Sequence, residues 1–484
     1  MPIKIKKIKR DSKAHILNRH IRNTGGNKMD SNQKKATIIG AGLVGSLWAV
    51  YLSKAGYTVT IFERRSDIRK ADIAAGKSIN LALSVRGWKA LDDVGVGDSV
   101  REIAIPMHGR VMHADSGELT YQPYGEEGQA IYSVSRGHIN ARMMDIAENK
   151  GNAQIHYYHE CHKVDFDNSI AFIRNTQTNE EFEVKSDLIF AADGAFSAIR
   201  YNSMQKLPRF NFSQRFIEDG YREVLLPAGP NGEYLMDKNA LHIWPRGRFM
   251  MIALANEDGS FTCTLFMPHE NHKYSFDKLK SKEDVDEFFK DVFPDFYEMM
   301  PTVGESWEDH PLASLAIIRC FPWTHGKVAL MGDSAHATVP FYGQGMNSGF
   351  EDCTVLNDLM HKHNEDWDAV FKEYNATRKQ DGDALQDLSL DNYHEMRDYV
   401  ADEQFLLRKK IEAKYTKLYP KKWLPLYSQV TFSTIPYSVA YKQGKIQDGI
   451  MERVMQFPNI EENWNSDEVM ERIAEESKSF NFEL

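Results

Sequence analysis

The sequence predicts an α/β protein in which a Rossmann-like domain carries an inserted, mostly antiparallel β-sheet and is followed by a C-terminal helical region. Three observations predict this class. Residues 35–65 read as strand, glycine-rich turn, helix and strand. Alternating Phe- and Met-rich runs between about 205 and 310 indicate an antiparallel sheet. Residues 353–484 show helical patterns interrupted by prolines.

The composition is that of an ordinary globular protein of two or three structural units. Its formal net charge of -10 is uneven, because residues 1–28 carry nine Lys or Arg against Asp11 alone. A basic tail on an acidic body does not indicate a nucleic-acid partner. The four cysteines are widely spaced, without a CxxC pair or Cys/His metal spacing. We therefore expect reduced thiols, no metal and a cytoplasmic location.

The N-terminal residues allow two interpretations. They lack the hydrophobic stretch of a secretory signal, and no apolar run much exceeds Phe249–Ala255, whereas a membrane helix needs ~20 apolar residues. No transmembrane helix is therefore expected. Met29 lies at a usual distance before a first strand and is a plausible start of translation. The alternative is that the preceding residues form a basic, disordered arm.

Residues 35–65 form the first motif, a βαβ unit with the pattern GxGxxG. Gly40 permits the turn, Gly42 lets the backbone approach a pyrophosphate, and Gly45 lets helix and strand pack closely. Glu63 ends the second strand, where a carboxylate can accept the hydroxyls of an adenosine ribose. The unit predicts dinucleotide binding, and the acid fits FAD or NAD better than a 2′-phosphate.

The next two stretches hold candidate ligand contacts. In residues 76–91, Ala82 and Arg86 could face a cofactor, although a solvated helix face is favoured for Arg86. Residues 109–125 predict a hairpin that places Arg110 diagonally across from Tyr124. A guanidinium beside a phenol can clamp a carboxylate, but the pattern alone favours a surface cross-strand pair.

Residues 186–200 carry a second signature, a buried strand that ends at Asp193-Gly194 before a helix. Gly194 allows the backbone to approach a phosphate closely, and Arg200 could neutralise its charge.

The longest signature is residues 328–352, read as strand, turn and helix. Asp333 stands at the carboxyl end of the strand, where α/β sheets bind their ligands, and a carboxylate there suits a ribose or ribityl hydroxyl. The loop up to Gly345 can approach a flat ligand, and the helix from Asn347 offers free N–H groups and a positive dipole end to negative charge. We expect a flavin here.

The three signatures, in this order, resemble those of single-component flavin-dependent aromatic hydroxylases. Longer strings extend the resemblance, over roughly residues 34–445, to the kynurenine 3-monooxygenase family. These strings are GKSINLALSVRG, SVSR at 133–136, LHIWPRGRFMMIAL, FTCTLFMP, PFYGQGMNSGFEDC and PLYSQVTFS. Family members in mitochondria carry a C-terminal membrane anchor, and this sequence has no matching apolar run, so it resembles the soluble bacterial forms.

The resemblance implies an enzyme with tightly bound FAD, transiently bound NADPH and O₂. It implies hydroxylation of L-kynurenine to 3-hydroxykynurenine through a flavin C4a-hydroperoxide, without an acid or base from the protein. Alternatives are a related flavin oxidoreductase acting on another aromatic compound, or a catalytically silent FAD-binding sensor. A monomer and a homodimer are equally compatible with the sequence, and no nucleic-acid or membrane partner is expected.

The resemblance also assigns site residues. The substrate's amino-acid end would be bound by Arg110, Tyr124, Asn392 and Tyr427. Together with the glycines and Glu63 above, FAD would contact Val44, Phe62, Arg64, Arg65, Ala82, Arg136, Cys161, Asp333, Gly345, Met346 and Asn347. Cys161 replaces an apolar residue of the family, which suggests a backbone contact.

The implied regions follow the chain in pieces. They are 1–33, a basic and disordered extension; 34–108, 129–204 and 311–385, three parts of an FAD-binding domain; 109–128, a substrate-side hairpin; 205–310, a substrate-binding β-sheet domain; and 386–484, the C-terminal helical region.

Overall fold

A computed structural model describes residues 34–70, 80–124, 128–396 and 402–480. The predictions about the basic arm, Met29 and residues 76–79 lie outside these ranges.

Strands are distributed along the first two thirds of the chain. They are β1 (Lys35–Ile39), β2 (Thr58–Phe62), β3 (Asn80–Leu83), β4 (Ile105–Met107), β5 (Gly109–His113), β6 (Leu119–Pro123), β7 (Ile131–Ser135), β8 (Gln154–His156), β9 (His159–Asp165), β10 (Ile170–Asn175), β11 (Glu181–Lys185), β12 (Leu188–Ala191), β13 (Asn211–Leu226), β14 (Ala240–Arg246), β15 (Phe249–Ala255), β16 (Phe261–Pro268), β17 (Ala313–Phe321), β18 (Thr324–His325) and β19 (Val328–Leu330).

Helices occur along the whole described chain and dominate its last third. The α-helices are α1 (Leu43–Lys54), α2 (Val85–Asp93), α3 (Gly97–Arg101), α4 (Arg136–Asn149), α5 (Ala198–Asn202), α6 (Lys282–Val292), α7 (Pro294–Met299), α8 (Asp333–His336), α9 (Gly345–Lys362), α10 (Trp367–His394), α11 (Glu403–Leu418), α12 (Leu426–Thr431), α13 (Tyr437–Val454), α14 (Ile460–Asn463) and α15 (Asp467–Ser477).

A six-stranded sheet forms the first layer, in the order β18-β19-β12-β1-β2-β8. It is parallel except for the β18–β19 pair. Two of its inner strands, β12 and β19, are continuous apolar runs because both faces are covered, for example by Trp48 of α1, which packs edge-on against Phe190 of β12. The carboxyl ends of β1, β12 and β19 therefore bring the three sequence signatures to one edge.

A seven-stranded sheet forms the second layer, in the order β17-β13-β16-β15-β14-β5-β6. Only the β14–β5 pair is parallel. The predicted hairpin is its edge, with Arg110 opposite Gln122 and hence diagonal to Tyr124. One face packs on α6 and α7 through an apolar core, and the other faces Phe341 and Tyr393. The predicted fold class, with its inserted antiparallel sheet, is confirmed.

The C-terminal helices pack partly on each other and partly on the first layer. Pro425 and Pro436 immediately precede α12 and α13, where their missing N–H groups cost no helix hydrogen bond. Smaller three-stranded sheets, β11-β10-β9 and β3-β7-β4, complete the fold. Within the described ranges, no helix is long and apolar enough to cross a membrane.

Candidate functional site

The glycine-rich turn after β1 leaves open space beside one of its residues. Gly40 has φ of +101°, and a Cβ there would lie 2.5 Å from the Ala192 carbonyl oxygen. A Cβ on Gly45 would lie 2.1 Å from the Gly40 carbonyl oxygen. Both glycines are therefore required by protein packing. Gly42 is different, since a Cβ there would meet nothing within 4 Å, and α1 begins beside it without a side-chain cap.

Glu63 is buried at the end of β2 and holds this turn in place. Its carboxylate accepts hydrogen bonds from the Ala41 N–H at 2.9 Å and from the Arg65 N–H and Nε, both at 2.9 Å. Burial alone would raise the pKa of Glu63, but its bonds to Arg65 and Ala41 leave the pKa below its ordinary value. The side chains of Arg64 and Arg65 are exposed beside this fixed carboxylate.

The second signature contributes a turn but not the predicted cation. Gly194 has φ of +83° and open space around its Cβ position. Asp193 accepts a hydrogen bond from the Ser334 hydroxyl at 3.1 Å, and burial raises its pKa. Arg200 is fully buried and donates to the carbonyls of Ser334 and Ala195. The suggestion that it neutralises a phosphate is therefore wrong, since its donors stabilise the turn.

Asp333 follows β19 after Gly332, whose φ is +56°. Its side chain is exposed although Ser334 and Ala335 are buried, and its carboxylate makes no hydrogen bond or ion pair with the described part of the chain. Val44 of α1 packs closely beside Gly332. A Cβ on Gly332 would lie 3.0 Å from Cγ2 of Val44. The Asp333 carboxylate, which has no partner among the described residues, thus lies where the Gly332 turn meets the start of α1.

Helix α9 begins at the same edge. Gln344 precedes it without a side-chain cap, so the first N–H groups and the positive dipole end, at Gly345 and Met346, are available to a ligand. The Asn347 amide is already used, because it accepts from the Ser84 N–H at 2.9 Å and donates to the Ala82 carbonyl at 2.8 Å. A ligand contact predicted for Asn347 could therefore come only from its backbone.

Sequence reasoning missed a buried charge cluster behind this helix. Asp352 accepts from the Gly332 N–H at 2.8 Å and from Arg378 at 2.9 Å, and its carboxylate lies 2.7 Å from His336 Nε2. Burial would raise the pKa of Asp352, but His336 and Arg378 lower it to about 2. The ionised carboxylate fixes the turn that presents Asp333.

Arg86 does not lie on a solvated helix face, as the sequence pattern had favoured. Its guanidinium is fully buried instead of solvated, and it donates to the Glu351 carboxylate and to the carbonyls of Val430 and Ile435. The helix pattern of α2 did not indicate this burial, because every partner lies more than 260 residues away in sequence.

The four residues assigned to the substrate lie in one region. The Arg110 guanidinium lies 4.5 Å from the ring centre of Tyr427 and 5.4 Å from that of Tyr124. The two tyrosine rings stack at 5.6 Å, and Tyr342, which the sequence analysis did not identify, stacks on Tyr427 at 5.7 Å. Asn392 reaches the same region by donating to the Phe341 carbonyl at 2.7 Å.

This cluster has unused polar groups. Among the described residues, no ion pair joins Arg110 to a carboxylate. Tyr124 Oη is buried and makes no hydrogen bond of ordinary geometry there, although Tyr427 and Arg110 are near enough to interact with it. Burial raises the pKa of Tyr124 well above its usual range, so the phenol keeps its proton. The arrangement offers donors to an anion.

The remaining predicted contacts lie apart from this cluster. Phe62 is buried and stacks on His156 at 5.3 Å, which leaves its backbone near the glycine turn. Cys161 is buried in β9, and burial raises its pKa to about 12, so the thiol is neutral. Arg136 is exposed at the first turn of α4. Whether these residues touch a cofactor stays a prediction.

Comparison with known proteins agrees with this geometry. Residues 33–389 match the family described as FAD binding domain. The kynurenine 3-monooxygenase of Flavobacterium johnsoniae is 50% identical over 442 residues, which cover 91% of this chain and 98% of that protein. The chain belongs to the kynurenine 3-monooxygenase family.

A second family member, from Myxococcus xanthus, is 42% identical and covers 87% of this chain and 91% of its own. A solved structure, the tetrameric form of 2-methyl-3-hydroxypyridine-5-carboxylic acid oxygenase, aligns with a TM-score of 0.63 at 19% identity over 76% of this chain and 94% of that one. That likeness concerns the fold alone. The predicted family and its FAD cofactor are confirmed.

Proposed function

We propose that this kynurenine 3-monooxygenase family member hydroxylates L-kynurenine to 3-hydroxykynurenine, consuming NADPH and O₂ with FAD as its cofactor. The observation that carries the proposal is the half-buried Arg110, which has two tyrosines around it and no ion pair with a carboxylate among the described residues, although Glu395 is near enough to raise its pKa. An arginine in this state is suited to bind a substrate carboxylate. L-Kynurenine has such a group at its amino-acid end.

The residues at the sheet edge fit FAD. Gly42 has open space for a pyrophosphate at the uncapped start of α1, the Asp333 carboxylate has no partner among the described residues, and the N-terminus of α9 is uncapped. These features would hold the phosphates, a hydroxyl and the flavin edge respectively. We further assign the cofactor contacts to the residues named by the family resemblance, with Asn347 acting through its backbone.

Bound FAD, once reduced by NADPH, supplies the chemistry that activates O₂ and delivers one oxygen atom to the aromatic ring. The chain's own contributions are binding, orientation and exclusion of water. The N-terminus of α9 stabilises negative charge at the flavin edge. Arg110, Tyr124 and Tyr427 anchor the substrate carboxylate. Apolar side chains such as Phe266 and Phe341, whose rings lie 4.9 Å apart, wall the region.

No side chain is assigned as a general acid or base. The aniline nitrogen of kynurenine already donates electron density to the ring position that is hydroxylated. The ring carbon loses its proton readily when aromaticity is restored after oxygen transfer, so no dedicated side-chain base is required.

The test is a pair of measurements on the purified protein. Anaerobic NADPH is mixed with the flavoprotein with and without L-kynurenine, and flavin bleaching is followed; the aerobic reaction is then analysed for 3-hydroxykynurenine by mass spectrometry. We expect L-kynurenine to bind. We also expect one molecule of hydroxylated product for each NADPH consumed beyond the consumption of a control without kynurenine. Flavin reduction without hydroxylated product would overturn the proposal and favour a reductase or a sensor.

A further inference from the structure

We propose that Arg86 is a positioning residue, which ties the short helix α12 to α9 and thereby holds Tyr427 beside Arg110. The inference rests on the proposed function, because Tyr427 is assigned to the substrate carboxylate. Arg86 itself lies in α2 and is placed in neither the cofactor nor the substrate contacts.

The donors of Arg86 reach three elements. Nε donates to the Val430 carbonyl at 3.3 Å, Nη2 donates to the Ile435 carbonyl, and Nη1 donates to Glu351 in α9. Val430 lies within α12, three residues after Tyr427, and Ile435 lies in the segment between α12 and α13. One planar guanidinium therefore fixes both the helix that carries Tyr427 and the chain that follows it.

The other end of this connection is rigid. The second oxygen of Glu351 accepts from Arg378 Nη1 at 2.8 Å, and Arg378 also donates to Asp352. Asp352 in turn accepts from the N–H of Gly332, directly before Asp333. A continuous series of charge-assisted hydrogen bonds thus runs from the turn of Asp333 to the helix of Tyr427.

Tyr437 makes a second connection between the same two parts. The Arg86 guanidinium lies 4.0 Å from its ring centre, and its hydroxyl donates to Gln344 Oε1 at 3.0 Å. Gln344 immediately precedes α9. Through Tyr437, the C-terminal segment is therefore attached to the residue before α9. Through Arg86 and Glu351, it is also attached to the first turns of α9.

Helix α12 needs such attachment. It has six residues, which is too short to be stable by itself, so its position depends on tertiary contacts. Tyr427 projects from its first turn and is half-buried. Loss of Arg86 would release both carbonyl contacts and leave Tyr427 less firmly held beside Arg110. A misplacement of about 1 Å in a site can cost about a hundredfold in reaction rate.

The first test is Arg86→Met, which removes the charge and the donors but keeps much of the side-chain volume. FAD content should be retained, because Glu351 keeps Arg378 as a partner. Binding of L-kynurenine, titrated by flavin absorbance, should weaken about tenfold or more. Arg86→Lys keeps a cation for Glu351, but its single nitrogen does not replace the three separate nitrogens that reach Glu351 and the two carbonyls, so it should retain FAD and also bind kynurenine more weakly.

A matched control is Arg222→Met. Arg222 is likewise buried, donates to a carbonyl (Trp307, at 2.5 Å) and lies over an aromatic ring, 4.7 Å from its centre. Its side chain lies on the face of the seven-stranded sheet that packs on α6, whereas α12 lies on the opposite face of that sheet. Its loss should lower stability while leaving the Kd for kynurenine within about twofold of wild type.

A double-mutant cycle with Tyr427→Phe separates positioning from general destabilisation. If Arg86 acts through Tyr427, the losses in kynurenine binding are less than additive, whereas independent effects add. Unchanged affinity in either folded Arg86 variant, or additive losses, would overturn this assignment while the proposed function stands. A wild-type protein that does not bind kynurenine would overturn the proposed function, and the assignment with it.

Discussion

At the scale of single residues, two glycines of one turn are required for different reasons. A side chain on Gly45 would collide with the Gly40 carbonyl, whereas the space beside Gly42 is open in the protein. A ligand is the remaining reason for a glycine at Gly42. Gly45 is thus required by the packing of the fold, whereas Gly42 is proposed to be required by the bound cofactor.

We predict that Gly42→Val folds but retains little FAD. The valine would occupy the space for the pyrophosphate, and losing a charge-assisted contact of ~1.5–3 kcal/mol weakens binding roughly tenfold to over a hundredfold. Gly45→Val should instead destabilise the apoprotein, because the clash is with backbone. Flavin absorbance per chain and thermal unfolding of both apoproteins give the comparison. Full flavin content in Gly42→Val would refute the phosphate role.

Arg110 is the residue on which the proposed binding of the substrate carboxylate depends. Truncating one partner of a hydrogen-bonded charge pair typically costs ~2–5 kcal/mol, or about thirty- to several-thousandfold in affinity. Arg110→Met should therefore retain FAD and bind L-kynurenine far more weakly, as titrated by flavin absorbance. A kynurenine analogue without the carboxylate should bind the wild type poorly and lose little more in the variant. Binding of kynurenine within about threefold of wild type would move the carboxylate site elsewhere.

At the scale of elements, strand β5 presents different chemistry on its two faces. Arg110 faces the tyrosine cluster, while His113 lies on the opposite side, with Nε2 2.9 Å from His242 Nδ1 in β14 and Nδ1 3.1 Å from the Asp295 carboxylate. His242 Nε2 lies 2.8 Å from the Asp237 carbonyl and must donate to it.

This pairing predicts acid sensitivity of the second layer. Burial lowers the pKa of His242 from its ordinary 6.5 to about 4, so between these values the unfolded chain binds the extra proton. Stability is therefore retained above pH 6.5 and lost as the pH falls toward 4, by up to about 3 kcal/mol. Urea unfolding at pH 7 and pH 5 with excess FAD measures the loss. His242→Gln, which keeps one donor and one acceptor, should show a smaller loss; an equal loss would assign the sensitivity to other groups.

At the scale of the whole molecule, the proposed sites for both ligands are built from segments that are distant in sequence. The proposed FAD contacts come from the turns after β1 and β19 and from α9, and the proposed kynurenine contacts come from β5, α10 and α12. A ligand that binds only the folded chain stabilises it by about 2.7 kcal/mol at a hundredfold excess over Kd. Thermal stability should therefore report each site separately.

We predict that FAD raises the Tm of the apoprotein and that L-kynurenine raises the Tm of the holoprotein further. Arg110→Met should keep the increase with FAD and lose most of the increase with kynurenine, because only the second ligand uses its guanidinium. Thermal scans of both proteins at matched ligand excess provide the measurement. An undiminished kynurenine shift in Arg110→Met would contradict the location of the substrate site.

The sequence by itself determined the features that depend on short spacings. The βαβ unit with Gly40 and Gly45 follows from local steric rules, and the hairpin register that sets Arg110 diagonal to Tyr124 follows from the turn between two strands. The family resemblance added Asn392 and Tyr427, which no local pattern connects to that hairpin.

Only the tertiary structure decided the states of the buried charges. Arg86 was expected in solvent and Arg200 at a phosphate, yet both are buried among carbonyls, and Asp352 is the centre of a cluster that no motif indicated. The physical reason is that a guanidinium or carboxylate can be buried only where partners satisfy it. For Arg86 one partner lies 349 residues away, so its burial becomes visible only when the chain has folded.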